Sequence, residues 1–291
     1  MKENIQKPGI DDQTLELLLA KMEQKYGCDF SQYRRGTIKR RVYKRLVLSG
    51  VSDCQTYIHL LEQDPEEYKH LIQDLTIKVS CFFRDPYVFE FLARIVIPEI
   101  IKTKEQQHDR AIRIWSAGCA YGEEIYSVAI LLIDYFEHKK KDIENFDIFL
   151  FGTDIDEEAL AKARRGIYEE EAVLEVKKRF LDKYFVCKNG LYQLKEEVKR
   201  LVTFCQHDIT SSKQISPPIG VVCNYDLILC RNLLIYFNVP LQKQVISNLS
   251  RSLNPGGYLV LGEAEFLFKE FEPLFDTLDL RAKVYQKKGE R

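Results

Sequence analysis

The sequence lacks the features that mark several classes of protein. No apolar run reaches the roughly 18 residues that a membrane-spanning helix needs, and residues 1–12 do not resemble a signal peptide. The eight cysteines include no C-x-x-C pair, and the five histidines stand at no zinc-ligand spacing from them. A net charge of −1 gives no basic field for nucleic acid. We therefore expect a cytoplasmic protein with reduced thiols, no metal, no membrane insertion and no nucleic-acid partner.

The hydrophobic pattern divides the chain near residue 80. Before that point apolar residues recur at helical spacing, so residues 1–80 are predicted to form an all-helical domain. From Ile112 onward, strand patterns alternate with helix patterns, which is typical of a parallel sheet with helices on both faces. Residues 81–291 are therefore predicted to form an α/β domain. The turn Lys188-Asn189-Gly190 between two short strand-like runs predicts a small β insertion at about residues 183–197.

Residues 112–124 form the most informative string, Ile-Arg-Ile-Trp-Ser-Ala-Gly-Cys-Ala-Tyr-Gly-Glu-Glu. Its first part alternates like a buried strand, Gly118 and Gly122 allow a tight turn, and Glu123 opens an amphipathic helix. A strand, a glycine-bearing turn and a helix start are typical of nucleotide-type sites, where backbone N–H groups approach a ligand. The spacing is not G-x-G-x-x-G, and Glu123 and Glu124 would repel a pyrophosphate, so a positively charged ligand is favoured.

Polar residues follow two other predicted strands, and parallel strands end at one edge of a sheet. Asp154 is placed to accept hydrogen bonds from ribose hydroxyls, whereas Asp156 fits the N-cap of the next helix. The alternative is that Asp154, like Asp156, does nothing more than cap the helix that follows. Arg231 and Asn232 follow the third strand, and Tyr236 comes within one turn of them. Alternatively, Arg231 is a surface ion-pair partner and Asn232 caps a helix.

Arg84 stands between two aromatic residues and Asp85-Pro86, which is predicted to cap a helix. An arginine held in this way can pair bidentately with a carboxylate. That carboxylate could belong to a ligand, to Asp85 or to Glu90, and the pattern leaves all three open.

Residues 31–50 contain seven basic residues and no acidic one. On a helix, Arg34, Arg41 and Arg45 would form one stripe beside an apolar stripe. A charge run is usually just a solvated face, but the complete absence of acidic residues favours an acidic partner, either a protein or a nucleic acid. The scarcity of interleaved aromatic residues disfavours base stacking with nucleic acid.

These residues give the chain a resemblance to the CheR family of chemotaxis-type protein-glutamate O-methyltransferases, from about residue 15 to residue 287. The matching strings are Val79-Ser-Cys-Phe-Phe-Arg-Asp-Pro86, Gly122-Glu-Glu-x-Tyr-Ser127, Thr153-Asp-Ile-Asp156 and Cys230-Arg-Asn-x-x-Ile-Tyr-Phe237. The resemblance implies a Rossmann-like class I methyltransferase sheet with an N-terminal all-α domain. It also implies methyl transfer from S-adenosylmethionine (SAM) to glutamates on the cytoplasmic helical bundles of chemoreceptors, with S-adenosylhomocysteine (SAH) as product. We expect a monomer.

The resemblance also implies roles for individual residues. The cofactor contacts would be Lys78, Ser80, Arg84, Glu123, Asp154, Asp208, Ile209, Arg231 and Asn232. A glutamate is already an anion at neutral pH, so attack on a sulfonium methyl group needs no general base. We therefore expect Arg84 or Arg231 to orient the target carboxylate and Tyr236 to shape its approach. The stripe of Arg34, Arg41 and Arg45 resembles the receptor-docking helix of the family.

Two alternatives stay open. Lys78 stands where many members of the family have asparagine, which favours a non-catalytic module that binds SAM and docks on receptor-like bundles. A SAM-dependent enzyme acting on RNA is the weaker alternative, because the charge is near neutral and stacking aromatic residues are absent.

Overall fold

The structure is a computed structural model, and it describes residues 10–26, 29–76, 80–211, 215–217 and 224–289. These residues fall into two compact units. The first comprises the described residues up to 76 together with Tyr236–Leu241, and the second comprises the rest. Within the described ranges, no helix combines the length and the apolar character needed to cross a membrane.

The first unit is built from amphipathic helices. They are α1 (Asp12–Tyr26), α2 (Arg35–Ser49), α3 (Cys54–Gln63) and α4 (Pro65–Leu75). Helix α2 buries Ile38, Val42 and Leu46, as the i, i+4, i+8 spacing predicts. Asp64 caps α4 by accepting a hydrogen bond from the N–H of Glu66.

The described part of the second unit begins at residue 80 and contains most of the remaining elements. The further helices are α5 (Pro86–Phe91), α6 (Ile97–Gln107), α7 (Glu123–Lys139), α8 (Glu157–Arg165), α9 (Glu170–Val173), α10 (Lys178–Tyr184), α11 (Glu196–Lys199) and α12 (Val239–Ser252). The strands are β1 (Ala111–Ala117), β2 (Asp147–Asp154), β3 (Ile167–Tyr168), β4 (Phe185–Lys188), β5 (Leu191–Leu194), β6 (Val202–Gln206), β7 (Tyr225–Cys230), β8 (Leu253–Leu261), β9 (Phe275–Asp279) and β10 (Val284–Lys287).

In the described part of the chain, seven strands form one sheet in the order β6-β2-β1-β7-β8-β10-β9. Five neighbouring strands, β6, β2, β1, β7 and β8, are parallel to one another. Strand β10 is antiparallel to β8 and β9. Strand β7 is buried at every position, as expected for a parallel strand covered on both faces. The predicted α/β class with a parallel sheet is therefore confirmed. The carboxyl ends of the parallel strands share one edge of this sheet, where the predicted site residues follow them.

Two features differ from the sequence prediction. Strand β6 is not evident in the sequence, because this short edge strand buries only Phe204 and Cys205. The predicted β insertion is present as the hairpin of β4 and β5, and β3 adds a third strand to it. Residues 167–168 are too few to give a strand pattern in the sequence.

Candidate active site

The turn between β1 and α7 is held against the end of β2 by its own backbone. The N–H groups of Gly118 and Cys119 both donate to the carbonyl of Thr153 at 2.8 Å. The N–H of Ala120 donates to Oδ2 of Asp154 at 2.9 Å. These three N–H groups are used within the protein, whereas the sequence predicted that the turn would offer its N–H groups to a ligand.

Gly122 allows α7 to begin where it does. Its φ of 88° lies in the left-handed region, and an added Cβ would lie 2.8 Å from Cζ of Phe204 and 3.1 Å from Cβ of Ala163. A side chain at this position would therefore be strained by the backbone and would collide with the core. The glycine brings Glu123, the first residue of α7, close to the sheet.

Glu123 holds a buried carboxylate that is only partly satisfied. The residue is 2% exposed. The backbone N–H of Glu123, the Ser80 hydroxyl and the backbone N–H of Tyr121 lower the pKa of its carboxyl by stabilising the anion, but burial outweighs them. Oε2 is buried and has no hydrogen-bond partner. Burial raises the pKa of Glu123 to about 7. An unpartnered buried carboxylate oxygen is costly unless a cation or a donor pairs with it, so this atom suits the ammonium group of a ligand.

Asp154 ends β2 beside this turn and is 9% exposed. Oδ1 accepts a hydrogen bond from the N–H of Asp156 at 3.0 Å, and Oδ2 accepts one from the N–H of Ala120. The assignment of Asp154 to a ribose stays a prediction. The predicted cap is confirmed, because Asp156 accepts from the N–H groups of Glu158 and Ala159.

Arg231, directly after β7, is buried in a network of ion pairs. Its side chain is 1% exposed, with Nη1 3.0 Å from Oε2 of Glu124 and Nη2 2.6 Å from Oδ2 of Asp85. Nη2 also donates to the carbonyl of Arg84 at 3.0 Å, and the ring of Phe89 lies 5.5 Å from the guanidinium. Arg231 therefore joins β7 to α7 and to the loop before α5. These contacts favour a positioning role, and a catalytic role for Arg231 stays a prediction.

Asp85 stands at the N-cap position of α5, as predicted, and Pro86 is the first residue of that helix. Asp85 has a φ of 60° and makes no side-chain cap hydrogen bond, because its carboxylate pairs with Arg231. Glu90 pairs with Lys177 and Arg94. Phe83, also left-handed with a φ of 56°, is held by a hydrogen bond from its N–H to Oγ of Ser127 at 3.0 Å. Strained backbone of this kind costs of order 1–3 kcal/mol per residue and often marks functional sites; here it fixes the backbone around Arg84.

Fewer side-chain contacts are known for the other residues that were predicted to form the site. Asn232 has a left-handed φ of 57°. Oδ1 of Asp208, two residues after β6, accepts from Oγ1 and the N–H of Thr210 at 2.6 and 2.9 Å, so Asp208 shapes a turn in which Ile209 is partly exposed. Tyr236 ends a short 3-10 helix and belongs to the segment grouped with the first unit. Lys78 lies outside the described residues.

Sequence reasoning missed Glu265, which lies four residues after β8. Glu265 is 4% exposed, and its carboxylate accepts hydrogen bonds from backbone N–H groups on the loops after β7 and β8. The signal that could have found it is the string Gly262-Glu-Ala-Glu at the carboxyl end of a parallel strand.

The predicted arginine stripe on α2, in the first unit, does not form one surface. Arg45 is 13% exposed and pairs with both carboxylate oxygens of Glu67, at 2.5 and 3.0 Å. Arg34 is exposed, and its Nε donates to the carbonyl of Phe237 at 3.4 Å. Of the three arginines, only Arg41 lines the surface groove on this helix. The groove is lined by Arg40, Arg41, Tyr43, Lys44, Val47 and Leu48.

Among the side chains that the structure describes, no three or more His, Cys, Asp or Glu residues are grouped so that they could hold a metal ion. The described cysteines are all free thiols, and Cys119, Cys205 and Cys230 are buried.

Comparison with known proteins identifies both units. Residues 13–76 match the family model of the CheR methyltransferase all-alpha domain, and residues 78–284 match that of the CheR methyltransferase SAM binding domain. The chain is 33% identical over 245 residues to chemotaxis protein methyltransferase 2 of Vibrio cholerae, covering 83% of this chain and 81% of that protein. It is 31% identical over 288 residues to a putative methyltransferase, Cher3, of Pseudomonas putida, covering 95% and 97%.

A third relative is much longer than this chain. An uncharacterized 104.1 kDa protein from the hypE 3′ region of Rhodobacter capsulatus is 31% identical over 258 residues. The match covers 89% of this chain and 26% of that protein, so the chain spans about a quarter of its length.

Proposed function

The chain belongs to the CheR methyltransferase family, and we propose that it transfers methyl groups from SAM to glutamate side chains of chemoreceptors. The products would be glutamate methyl esters and SAH. Chemotaxis methyltransferases among its relatives support this proposal, and the buried, unpartnered Oε2 of Glu123 is the structural observation that carries it.

The residues at the carboxyl edge of the sheet fit SAM. Glu123 offers an unpaired carboxylate oxygen to the ligand's ammonium group. Asp154, at the end of β2, offers acceptors to the ribose hydroxyls, and Asp208 and Ile209 follow the neighbouring strand and would flank the adenine. Two carboxylates at one edge favour a cationic ligand over a pyrophosphate. When bound, SAM supplies an electrophilic methyl group on its sulfonium.

The protein's part in the reaction is positioning. A glutamate side chain has an ordinary pKa of about 4.3, so no residue needs to remove a proton. Alignment of reacting groups can lower a barrier by roughly 7–11 kcal/mol. We assign the orienting role to Arg84, because Arg231 already pairs with Glu124 and Asp85. The orienting arginine must hold the carboxylate loosely, because the reaction removes its charge. Tyr236, four residues after Asn232, remains assigned to shaping the approach.

The receptor would dock on the groove of α2 in the first unit. Val47 and Leu48 are 62% and 61% exposed there, beside the basic residues Arg40, Arg41 and Lys44. Exposed apolar side chains among basic ones complement a helical bundle with acidic and apolar residues on its surface. Arg45, which pairs internally with Glu67, would support this helix and would not contact the receptor.

Transfer of radioactive methyl groups tests the proposal. Methyl-labelled SAM is offered with the purified protein to membranes that carry the host's chemoreceptors. We expect label in the receptors that alkali releases as methanol, because carboxylate methyl esters are base-labile. SAH binding without label in any receptor would favour the non-catalytic module, and alkali-stable label would show a different acceptor group.

A further inference from the structure

We propose that Glu265 is a positioning residue for this reaction, holding in place the loop after β7 that carries Asn232. The inference rests on the proposed function and on the predicted contact of Asn232 with the cofactor. Glu265 itself would touch neither the cofactor nor the target carboxylate.

The carboxylate of Glu265 joins the loops that follow two neighbouring strands. Oε2 accepts hydrogen bonds from the N–H of Gly262 at 2.6 Å and from the N–H of Asn232 at 3.1 Å. Oε1 accepts from the N–H of Ile235 at 3.3 Å. Gly262 follows β8, and Asn232 and Ile235 follow β7, so one side chain ties both loops together. The chain closes this arrangement with a hydrogen bond from the N–H of Glu265 to the carbonyl of Gly262 at 2.9 Å.

Gly262 leaves room for this contact. An added Cβ there would lie 2.6 Å from the backbone nitrogen of Asn232 and 2.8 Å from Oε2 of Glu265. Distances below 3.0 Å do not occur between a real Cβ and a backbone atom, so any larger residue would push the two loops apart. The close approach of the loops is therefore part of the fold at this position.

Asn232 needs such support because its backbone is strained. Its φ of 57° lies in the left-handed region, which non-glycine residues adopt at a cost of about 1–2 kcal/mol. The hydrogen bond from its N–H to a buried carboxylate offsets that cost, since hydrogen bonds to charged groups contribute about 1.5–3 kcal/mol.

The environment of Glu265 explains why a carboxylate is needed. Every hydrogen bond that the structure gives this side chain comes from a backbone N–H donor within the described residues. Burial raises the pKa of Glu265, and these N–H groups oppose that rise by stabilising the anion. A carboxylate can accept at both oxygens, whereas a glutamine presents one oxygen and one NH₂ group. In Glu265→Gln, the NH₂ group of the glutamine therefore faces at least one backbone N–H donor. This repulsion loosens the loop after β7 without a large change in side-chain volume.

The test compares Glu265→Gln with Glu263→Gln, which removes the same charge from an exposed residue two positions away. Steady-state methyl transfer is measured against SAM concentration, and amide hydrogen exchange is measured without ligand. For Glu265→Gln we expect the KM for SAM to rise and kcat to fall by at least about tenfold each, as for loss of a hydrogen bond to a charged group. We also expect faster exchange at Asn232 and Ile235 with unchanged exchange in β7.

A merely structural role would give a different result. Partial unfolding lowers the active fraction, and so lowers kcat while the KM for SAM stays the same and exchange rises across β7 as well. That result, or wild-type values of KM and of exchange at Asn232 and Ile235, would overturn the proposal. If Glu265→Gln does not fold, Glu265→Asp takes its place, because it keeps the charge and withdraws the carboxylate by one methylene.

Failure of the proposed function can be told apart from failure of this inference. A wild-type protein that binds SAH but methylates no receptor contradicts the proposed reaction. In that case SAH affinity, measured by calorimetry, and amide hydrogen exchange replace the kinetic measurements. If Glu265→Gln then has the wild-type SAH affinity and the wild-type exchange rates at Asn232 and Ile235, only the role of Glu265 is overturned.

Discussion

Nη2 of Arg231 lies 2.6 Å from Oδ2 of Asp85, and this ion pair joins the end of β7 to the loop that carries Ser80 and Arg84. A second pair, between Arg231 and Glu124, joins the same guanidinium to the first turn of α7. One buried cation thus connects β7, α7 and the loop that carries Ser80 and Arg84. Because the Arg231 side chain is buried in these ion pairs, we assign it a positioning role and assign the orientation of the target carboxylate to Arg84.

Replacing Arg231 with alanine should destabilise the protein. The change leaves Asp85 and Glu124 without their cation, and breaking a buried pair in this way costs about 3–5 kcal/mol. Denaturant unfolding, followed by circular dichroism, measures the change in the free energy of unfolding. If Arg231→Ala instead keeps the wild-type midpoint of unfolding and only raises the KM for the receptor, Arg231 binds the substrate directly.

Replacing Arg84 with alanine should lower methyl transfer by more than about tenfold, because the target carboxylate loses its orienting partner. Labelled-methyl transfer at saturating SAM measures the effect, and exposed Arg94→Ala is the matched control. Unchanged turnover in Arg84→Ala would remove this arginine from the mechanism.

SAH affinity should depend on pH through Glu123. The pKa of this carboxyl is about 7 in the ligand-free protein, and only the ionised form attracts an ammonium group. Calorimetric titration should therefore show binding tighten about fivefold from about pH 6 to about pH 7, as the ionised fraction grows. Glu123→Gln should bind weakly at both values, whereas the exposed-site control Glu171→Gln should follow the wild type. A wild-type affinity that does not change with pH would contradict this role.

The same carboxyl should make the ligand-free protein less stable as pH rises. Its folded-state pKa of about 7 lies above the unfolded value of 4.5, so the folded state binds the proton more tightly. The stability that this group contributes is present below about pH 4.5 and is lost through about pH 7, up to about 3 kcal/mol. Glu123→Gln should lack this part of the pH slope in denaturant unfolding, and an identical slope in the variant would rule out the raised pKa.

Much of the fold could be predicted because its signals are local. The turn Lys188-Asn189-Gly190 specifies a hairpin by its own backbone preferences, and Asp156 caps the helix that directly follows it. Asp85 also takes its predicted N-cap position, but its carboxylate makes no cap hydrogen bond, because it pairs with Arg231, 146 residues away along the chain. Glu265 was missed for the same physical reason, since two of its partners lie 30 and 33 residues earlier in the sequence. Contacts of this range depend on the finished sheet and leave no periodic pattern.

The two kinds of arginine on α2 should respond differently to substitution. Arg45→Ala breaks a buried bidentate pair with Glu67 and should lower the unfolding free energy of the helical unit by about 3 kcal/mol. Arg40→Ala, in the exposed groove, should leave stability and SAH affinity unchanged and raise the KM for the receptor several-fold, more at low salt than at high salt. Equal effects of both variants on receptor KM, with no loss of stability in Arg45→Ala, would restore the single-stripe interpretation.

The most direct measurement is a calorimetric comparison of SAH with 5′-methylthioadenosine, which keeps the nucleoside and lacks the amino-acid end. The wild type should bind SAH at least about tenfold more tightly than 5′-methylthioadenosine, because the ligand's ammonium meets the unpartnered oxygen of Glu123. The Glu123→Gln variant should lose most of that difference while keeping its affinity for the nucleoside. A wild-type protein that binds neither ligand, or a Glu123→Gln variant that keeps the full preference for SAH, would contradict the account.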